Sequence, residues 1–211
     1  RAPPAGPPRR PPGKSSRQRT APVGAATAKP AAPAWQSLAP GLDLGDFPVG
    51  DARITILRID PTRWSLECHD ITRTGEREGR TARQWCEDHD LAAAINFGMY
   101  AADGRSHIGY LESRGHVDST RVNGYQSVAA FDPRPGSGRP AFRIIDLDDP
   151  RATIPDLLRD YASVVQNLRL IKRPDENRWK PQPKRWSEAA LAEDAQGRIL
   201  FVFSRTPFTM H

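Results

Sequence analysis

Short apolar segments with strand-like spacing alternate with turn residues over most of the chain. Arg53–Ile59 is rich in β-branched residues and predicts a strand, which a turn at Asp60 joins to a second strand over Trp64–His69. Arg198–Ser204 is apolar through its middle, which predicts a strand buried on both faces. Gln196 and Gly197 just before it predict a hairpin turn that joins it to the strand Ser187–Glu193. The other predicted strands are Leu91–Phe97 (also buried), Arg105–Glu112, Gln126–Phe131, Ala141–Leu147, Ser163–Ile171 and Ser187–Glu193, and Trp35–Pro48 is predicted to be irregular.

Two short helices are predicted between these strands. Thr81 and Gln84 have the spacing of a capping box, which predicts a helix that runs to about Asp88. Thr153 followed by Pro155 predicts the start of a second helix. Strands outnumber helices and turns join most neighbours, so we expect an α+β domain with a mainly antiparallel or mixed sheet and a few short helices.

The first 34 residues differ from the rest of the chain in composition. They hold seven of the 31 Lys and Arg residues, none of the 25 Asp and Glu residues, and nine of the 21 prolines. Such a segment has little apolar surface to bury, so we expect a disordered Pro/Ala-rich tail over residues 1–34 and one domain over residues 35–211. We interpret the tail as a spacer; a Pro-x-x-P ligand and adhesion to an acidic surface are alternatives.

The net charge of the domain and the length of its apolar runs limit the kinds of partner that the chain is expected to bind. Residues 35–211 contain 24 Lys and Arg residues and 25 Asp and Glu residues, so the tail accounts for the net charge of +6. Because the domain itself is nearly neutral, no nucleic-acid partner is expected. No apolar run approaches the roughly 18 residues of a membrane span, so no transmembrane segment is expected. The chain begins with Arg1, which indicates a processed or trimmed product. Cys68 and Cys86 could form one disulfide or remain two thiols, and both readings stay open.

Several common catalytic motifs are absent from the sequence. It has no G-x-S-x-G elbow, no P-loop, no G-x-G-x-x-G and no H-E-x-x-H motif. His69, His89, His107 and His116 are scattered without the usual spacing of metal ligands. We therefore expect neither a metal site nor a cofactor.

Five segments carry a resemblance to a known family. Ala94–Tyr100 (AINFGMY) resembles the Ile/Val-Asn-Gly-Gly-aromatic segment of the phosphodiester glycosidase family, which includes the animal enzyme that uncovers mannose 6-phosphate. Thr81–Trp85, Val165–Ile171, Glu188–Ala192 and Gln196–Leu200 are similar to further segments of that family, in the same order. The resemblance covers roughly residues 35–211 and implies a hydrolase of sugar–phosphate diesters.

The chain departs from the family pattern at three places. Phe97 stands where the family has a glycine, and Glu188 stands where the family has an arginine. Arg185 lies three residues before Glu188 and is a candidate to compensate. The family's later acidic Gly-rich motif does not occur before His211, so we expect a domain that is incomplete at its C-terminus.

Four residues are predicted to bind substrate. The resemblance favours Asn96 as a hydrogen-bonding partner of a phosphate or sugar hydroxyl, with capping of the adjacent turn as the structural alternative. Gly98 beside it is expected to supply backbone freedom. Arg185 suits bidentate binding of a phosphodiester, and Trp186 suits a sugar ring. A solvated arginine and a tryptophan that pins its loop to the body are the alternatives.

Two residues are predicted to handle protons. Glu188 is the candidate general acid or base, with Asp103 or Glu112 as a partner carboxylate, because glycosidic cleavage commonly uses two carboxyl groups. An ion pair with Arg185 is the structural alternative for Glu188. His107 is the second candidate, because an imidazole transfers protons near neutral pH.

These features predict a hydrolase that resembles phosphodiester glycosidases and cleaves a sugar–phosphate diester in an extracytoplasmic glycan or glycoconjugate. The expected partner is that sugar–phosphate or glycan substrate. The alternative is a non-catalytic envelope module of the same fold that binds glycan or phosphate. Phe97 and Glu188 are the residues that favour this alternative.

Overall fold

The computed structural model describes residues 34–96, 98–172 and 176–209. Residues 1–33 of the predicted tail, and Phe97, lie outside the described residues. Two five-stranded sheets and three short helices form the regular structure of the described part. Every ladder between neighbouring strands is antiparallel, which confirms the predicted α+β class. None of the described helices is long and apolar enough to cross a membrane.

The first sheet combines the beginning and the end of the described chain. Its strands are β1 (Gln36–Ala39), β2 (Leu42–Val49), β3 (Ala52–Ile59), β9 (Trp186–Glu193) and β10 (Ile199–Phe208). They lie in the order β1-β2-β3-β10-β9, so β10 inserts between β3 and β9. The predicted hairpin around Gln196 and Gly197 is confirmed, because Ile199 pairs with Glu193 and the ladder continues along both strands.

The second sheet comes from the middle of the chain. Its strands are β4 (Leu111–Ser113), β5 (His116–Ser119), β6 (Ser127–Pro133), β7 (Phe142–Asp146) and β8 (Tyr161–Asn167). They lie in the order β5-β4-β8-β6-β7, which makes β8 the central strand. The predicted strands at Gln126–Phe131 and Ala141–Leu147 are confirmed as β6 and β7, whereas Ser163–Ile171 begins two residues earlier and ends at Asn167.

Alternating side chains on the second sheet create two apolar layers. Ala129 and Phe131 of β6 pack with Leu42 and Ile199 of the first sheet. Val128 and Ala130, on the opposite face of β6, pack against Ile154, Leu157 and the other apolar residues around the helix Ile154–Asp160. The second sheet is therefore covered on both faces, and each fully buried aliphatic or aromatic side chain in it contributes about 1.5–3 kcal/mol of transfer free energy.

Each of the three helices begins at a polar cap. In α2 (Ala82–His89), the Thr81 hydroxyl accepts from the Gln84 amide and the Gln84 side chain accepts from the Thr81 amide, which confirms the capping box. Thr153 caps α3 (Ile154–Asp160) as predicted. The third helix was not predicted: α1 (Ile71–Thr74) is a single turn, and the Arg73 amide in it donates to the Asp70 carboxylate.

Two sequence predictions near the N-terminus of the domain are wrong. Trp35–Pro48 contains β1 and most of β2 instead of an irregular segment. The hairpin partner of β3 is β2, through a tight turn at Gly50 that has a φ of +58°. Trp64–His69 forms no ladder, because the two neighbouring positions beside β3 are already taken by β2 and β10.

Three further strand predictions need correction. Residues 91–96 are not a buried strand; they form a half-exposed to exposed segment without a ladder. Of Arg105–Glu112, only Leu111 and Glu112 enter a strand, β4. Arg198–Ser204 forms most of β10 but is not buried on both faces, because Phe203 is 40% exposed. Apolar runs alone do not distinguish a buried strand from a segment that lines a cavity.

Candidate active-site cleft

A cavity of about 640 Å³ opens between the two sheets. Leu42 and Ile59 line it from the first sheet, and Leu111 and Phe131 line it from the second. Helix α2 contributes Trp85, and the irregular segments at 63–71 and 90–107 complete the wall. The size and the mixture of apolar walls with convergent polar groups are typical of a small-molecule site.

The segment that carries the family resemblance lines this cleft. Asn96, Gly98 and Tyr100 all face it, while Phe97 lies outside the described residues. An antiparallel bridge between Tyr100 and His107 folds the loop back on itself, with the Ile108 amide donating to the Met99 carbonyl at 2.8 Å. The loop thereby brings Gly98 next to His107, although nine positions separate them in the chain.

His107 is the most constrained polar residue of the cleft. It is 5% exposed, and its Nε2 lies 2.6 Å from the backbone carbonyl oxygen of Gln166. A carbonyl oxygen only accepts hydrogen bonds, so Nε2 carries a hydrogen. In the neutral ring Nδ1 is then the acceptor, and it faces Gly98. A proton acceptor with a fixed orientation therefore lies on the cleft wall.

The absence of a side chain at Gly98 lets the His107 ring approach the backbone closely; it does not serve an unusual backbone conformation. A Cβ at this position would lie 3.2 Å from Nδ1 of His107, and φ of Gly98 is not in the left-handed region. Asn96 caps the adjacent turn, which was the structural alternative to ligand binding. Its Oδ1 accepts a long hydrogen bond of 3.4 Å from the Gly98 amide. Asn96 is exposed and lines the cleft.

A cluster that the sequence did not predict lies beside His107. Asp70, His116 and Asp118 each offer one ligand atom, and these atoms lie within 4.8 Å of one another. The second carboxylate oxygen of Asp118 accepts from the backbone amide of His107 at 2.6 Å. His116 and Asp118 are two residues apart on β5 and so share a face, a His-x-Asp spacing that is visible in the sequence once β5 is known.

Aromatic rings and cations surround the mouth of the cleft. The rings of His69, Trp85 and His89 contact one another, with centroid distances between 4.4 and 5.5 Å. The guanidinium of Arg80 lies 4.9 Å from the Trp85 ring centroid, and Glu76 at 2.7 Å and Asp88 at 2.5 Å already compensate its charge. Arg105 also lines the cleft. Flat apolar faces beside cations suit a ligand with a sugar ring and a phosphate.

The other predicted site residues lie apart from this cleft. Arg185 is exposed, Trp186 begins β9 with Lys184 over its ring at 5.0 Å, and Glu188 pairs with Ser204 of β10. None of the three lines the cleft. Burial alone raises the pKa of Glu188, with no contribution from a neighbouring cation, so the alternative of an Arg185–Glu188 ion pair receives no support.

The remaining candidates have structural partners. The Ser106 hydroxyl and the backbone amides of Arg105 and Ser106 donate to Asp103, and these hydrogen bonds lower the pKa of its carboxyl group. Glu112 accepts from the Tyr110 hydroxyl at 2.7 Å. Both cysteines, Cys68 and Cys86, are free thiols, and burial raises the pKa of Cys68 to about 12.

No family model, no curated protein and no solved structure matches this chain.

Proposed function

We propose that this domain is a hydrolase that cleaves a sugar–phosphate diester of an extracytoplasmic glycan or glycoconjugate, with the cleft between the sheets as its active site. The observation that carries the proposal is the geometry of His107. Its Nε2 is held by the Gln166 carbonyl at 2.6 Å, and its Nδ1 is left as an acceptor beside the family-like segment that contains Asn96.

The residues of the cleft would have separate roles in such a reaction. His107 Nδ1 accepts a proton from water, the water oxygen bonds to the anomeric carbon, and the bond from that carbon to the phosphate oxygen breaks. The phosphate leaves with the bonding electron pair. Arg105 offsets its negative charge, and the faces of Trp85 and Tyr100 hold the sugar. The roles predicted for Arg185, Trp186 and Glu188 find no support in this cleft.

The rival proposal is a non-catalytic module that binds glycan or phosphate in the same cleft. Glu188 at the position of the family's arginine is the observation that favours it. Both proposals predict a ligand in the cleft, and they differ in whether the ligand is broken.

The test is incubation of the protein with a nucleotide sugar in water enriched in oxygen-18. A glycosidase releases free sugar and places the heavy oxygen on its anomeric carbon, because the bond between carbon and oxygen breaks. Heavy oxygen in the phosphate would contradict the glycosidase mechanism, since it reports cleavage between phosphorus and oxygen. Saturable binding without any release of sugar would support the binding module instead.

A further inference from the structure

One imidazole and two carboxylates from separate segments converge beside the cleft. Asp70 directly precedes α1, while His116 and Asp118 lie on one face of β5. Their ligand atoms lie within 4.8 Å of one another. Nitrogen and oxygen ligands sit about 2.0–2.2 Å from an ion such as Zn²⁺, so a small inward movement brings all three onto one ion.

The negative charge of this cluster is poorly compensated. The ion-pair partner of Asp70 is His116 at 3.3 Å, and within the described residues neither Asp70 nor Asp118 pairs with a Lys or Arg. The Asp70 side chain is 14% exposed, and its Oδ2 is buried without any hydrogen-bond partner in the described part of the chain. A buried carboxylate oxygen without a donor is costly, and a bound cation removes that cost.

The hydroxyl group of Thr72 cannot satisfy the cluster by itself. Its oxygen lies 2.5 Å from Asp70 Oδ1, 2.6 Å from Asp118 Oδ1 and 3.0 Å from His116 Nε2. A hydroxyl donates only one hydrogen, so it can serve only one of the two carboxylates. The same oxygen is available as a fourth ligand.

Two backbone amides hold the carboxylates in place from outside the cluster. The Arg73 amide donates to Asp70 at 2.8 Å, and the His107 amide donates to Asp118 at 2.6 Å. Such contacts orient ligands around a metal and leave their remaining lone pairs directed at it. One imidazole with carboxylate and hydroxyl oxygens suits divalent ions such as Zn²⁺ and Mn²⁺.

We propose that Asp70, His116 and Asp118, with the Thr72 hydroxyl, bind one divalent transition-metal ion beside the cleft. This inference concerns binding alone and does not depend on the proposed hydrolysis. The ion would lie one hydrogen bond away from the backbone of His107, so its presence would also hold the cleft wall.

The test uses untagged protein that has been treated with a chelator and dialysed, without any substrate. Titration with Mn²⁺, followed by the loss of its free-ion paramagnetic resonance signal, should show one site per chain, and Zn²⁺ should compete for it. We expect Asp118→Asn and His116→Gln to weaken Mn²⁺ binding at least tenfold. Glu87→Gln, which removes an exposed carboxylate of α2 outside the cluster, should leave binding unchanged.

Circular dichroism before each titration separates loss of the site from loss of the fold. Thr72→Val provides a second variant that keeps the two carboxylates and the imidazole and should retain Mn²⁺ binding with a smaller loss of affinity. If wild-type protein binds no Mn²⁺ or Zn²⁺ at micromolar concentrations, the proposal is wrong. It is equally wrong if Mn²⁺ binding survives both Asp118→Asn and His116→Gln in folded protein, because the ion then lies elsewhere.

Discussion

The two sheets support the predicted site residues in different ways. β8 is the central strand of the second sheet, and its Gln166 is fully buried while its carbonyl holds the His107 ring. Trp186 and Glu188 lie on β9, an edge strand of the first sheet, where the side chains are half-buried and Arg185 just before them is exposed. A polar side chain gains a defined orientation where backbone groups enclose it, and the second sheet provides that enclosure.

The largest effect should follow from removal of the Gln166 side-chain amide. Its Oε1 accepts from the amides of Tyr110 and Asn123, and its Nε2 donates to the carbonyls of Asn123 and Tyr125. Gln166→Leu leaves these buried groups unpaired, so we expect the free energy of unfolding to fall by about 3 kcal/mol or more. Urea denaturation measures this value, and Gln36→Leu, on exposed β1, should change it by less than about 0.5 kcal/mol.

A smaller but specific effect should follow from filling the space in front of His107. The added methyl of Gly98→Ala would lie 3.2 Å from Nδ1, so we expect kcat for sugar release to fall about tenfold or more while the fold is retained. Gly124→Ala is the matched control, because a Cβ there meets nothing within 4 Å. Equal rates for the two variants would show that Nδ1 does not need an open approach.

Substitutions of Arg185 and Trp186 test whether the first sheet, at the start of β9, contributes to the active site. Neither lines the cleft, so we expect Arg185→Ala and Trp186→Ala to change kcat/KM for a nucleotide sugar by less than about threefold. A loss of two orders of magnitude in either variant would transfer the active site to the start of β9.

The smallest expected effect concerns stability at Glu188. Burial raises its pKa in the folded state, so the unfolded chain loses this proton first as the pH rises. Wild-type stability therefore falls between the ordinary pKa and the raised pKa, and the loss persists at neutral pH. Glu188→Gln should raise Tm slightly at pH 7 and leave it unchanged at about pH 3. Glu87→Gln, on the exposed side of α2, should show no such pattern; an identical Tm profile in both variants would contradict the role of burial.

Local sequence signals predicted the elements whose partners are adjacent in the chain. The capping box at Thr81 and the hairpin around Gly197 depend only on residues within a few positions, and both are confirmed. Trp64–His69 looked like the partner of β3, but β10 arrives from about 140 residues later and β2 from the other side. Such long-range competition leaves no trace in the local pattern.

In the candidate site, too, only the parts that depend on local sequence were predicted. The resemblance of Ala94–Tyr100 and the chemistry of His107 led to two parts of the cleft, which the loop brings together. The cluster of Asp70 with His116 and Asp118 joins residues about 46 positions apart, and no motif links them. Only the packing of α1 against β5 reveals it.

The most direct test of the account is the rate of sugar release by His107→Gln. Glutamine keeps a donor for the Gln166 carbonyl but has no basic nitrogen, so the cleft should retain its shape. Loss of this base should lower kcat for a nucleotide sugar by about 10²–10⁴-fold. A folded His107→Gln variant with a rate within about threefold of wild type would contradict the account.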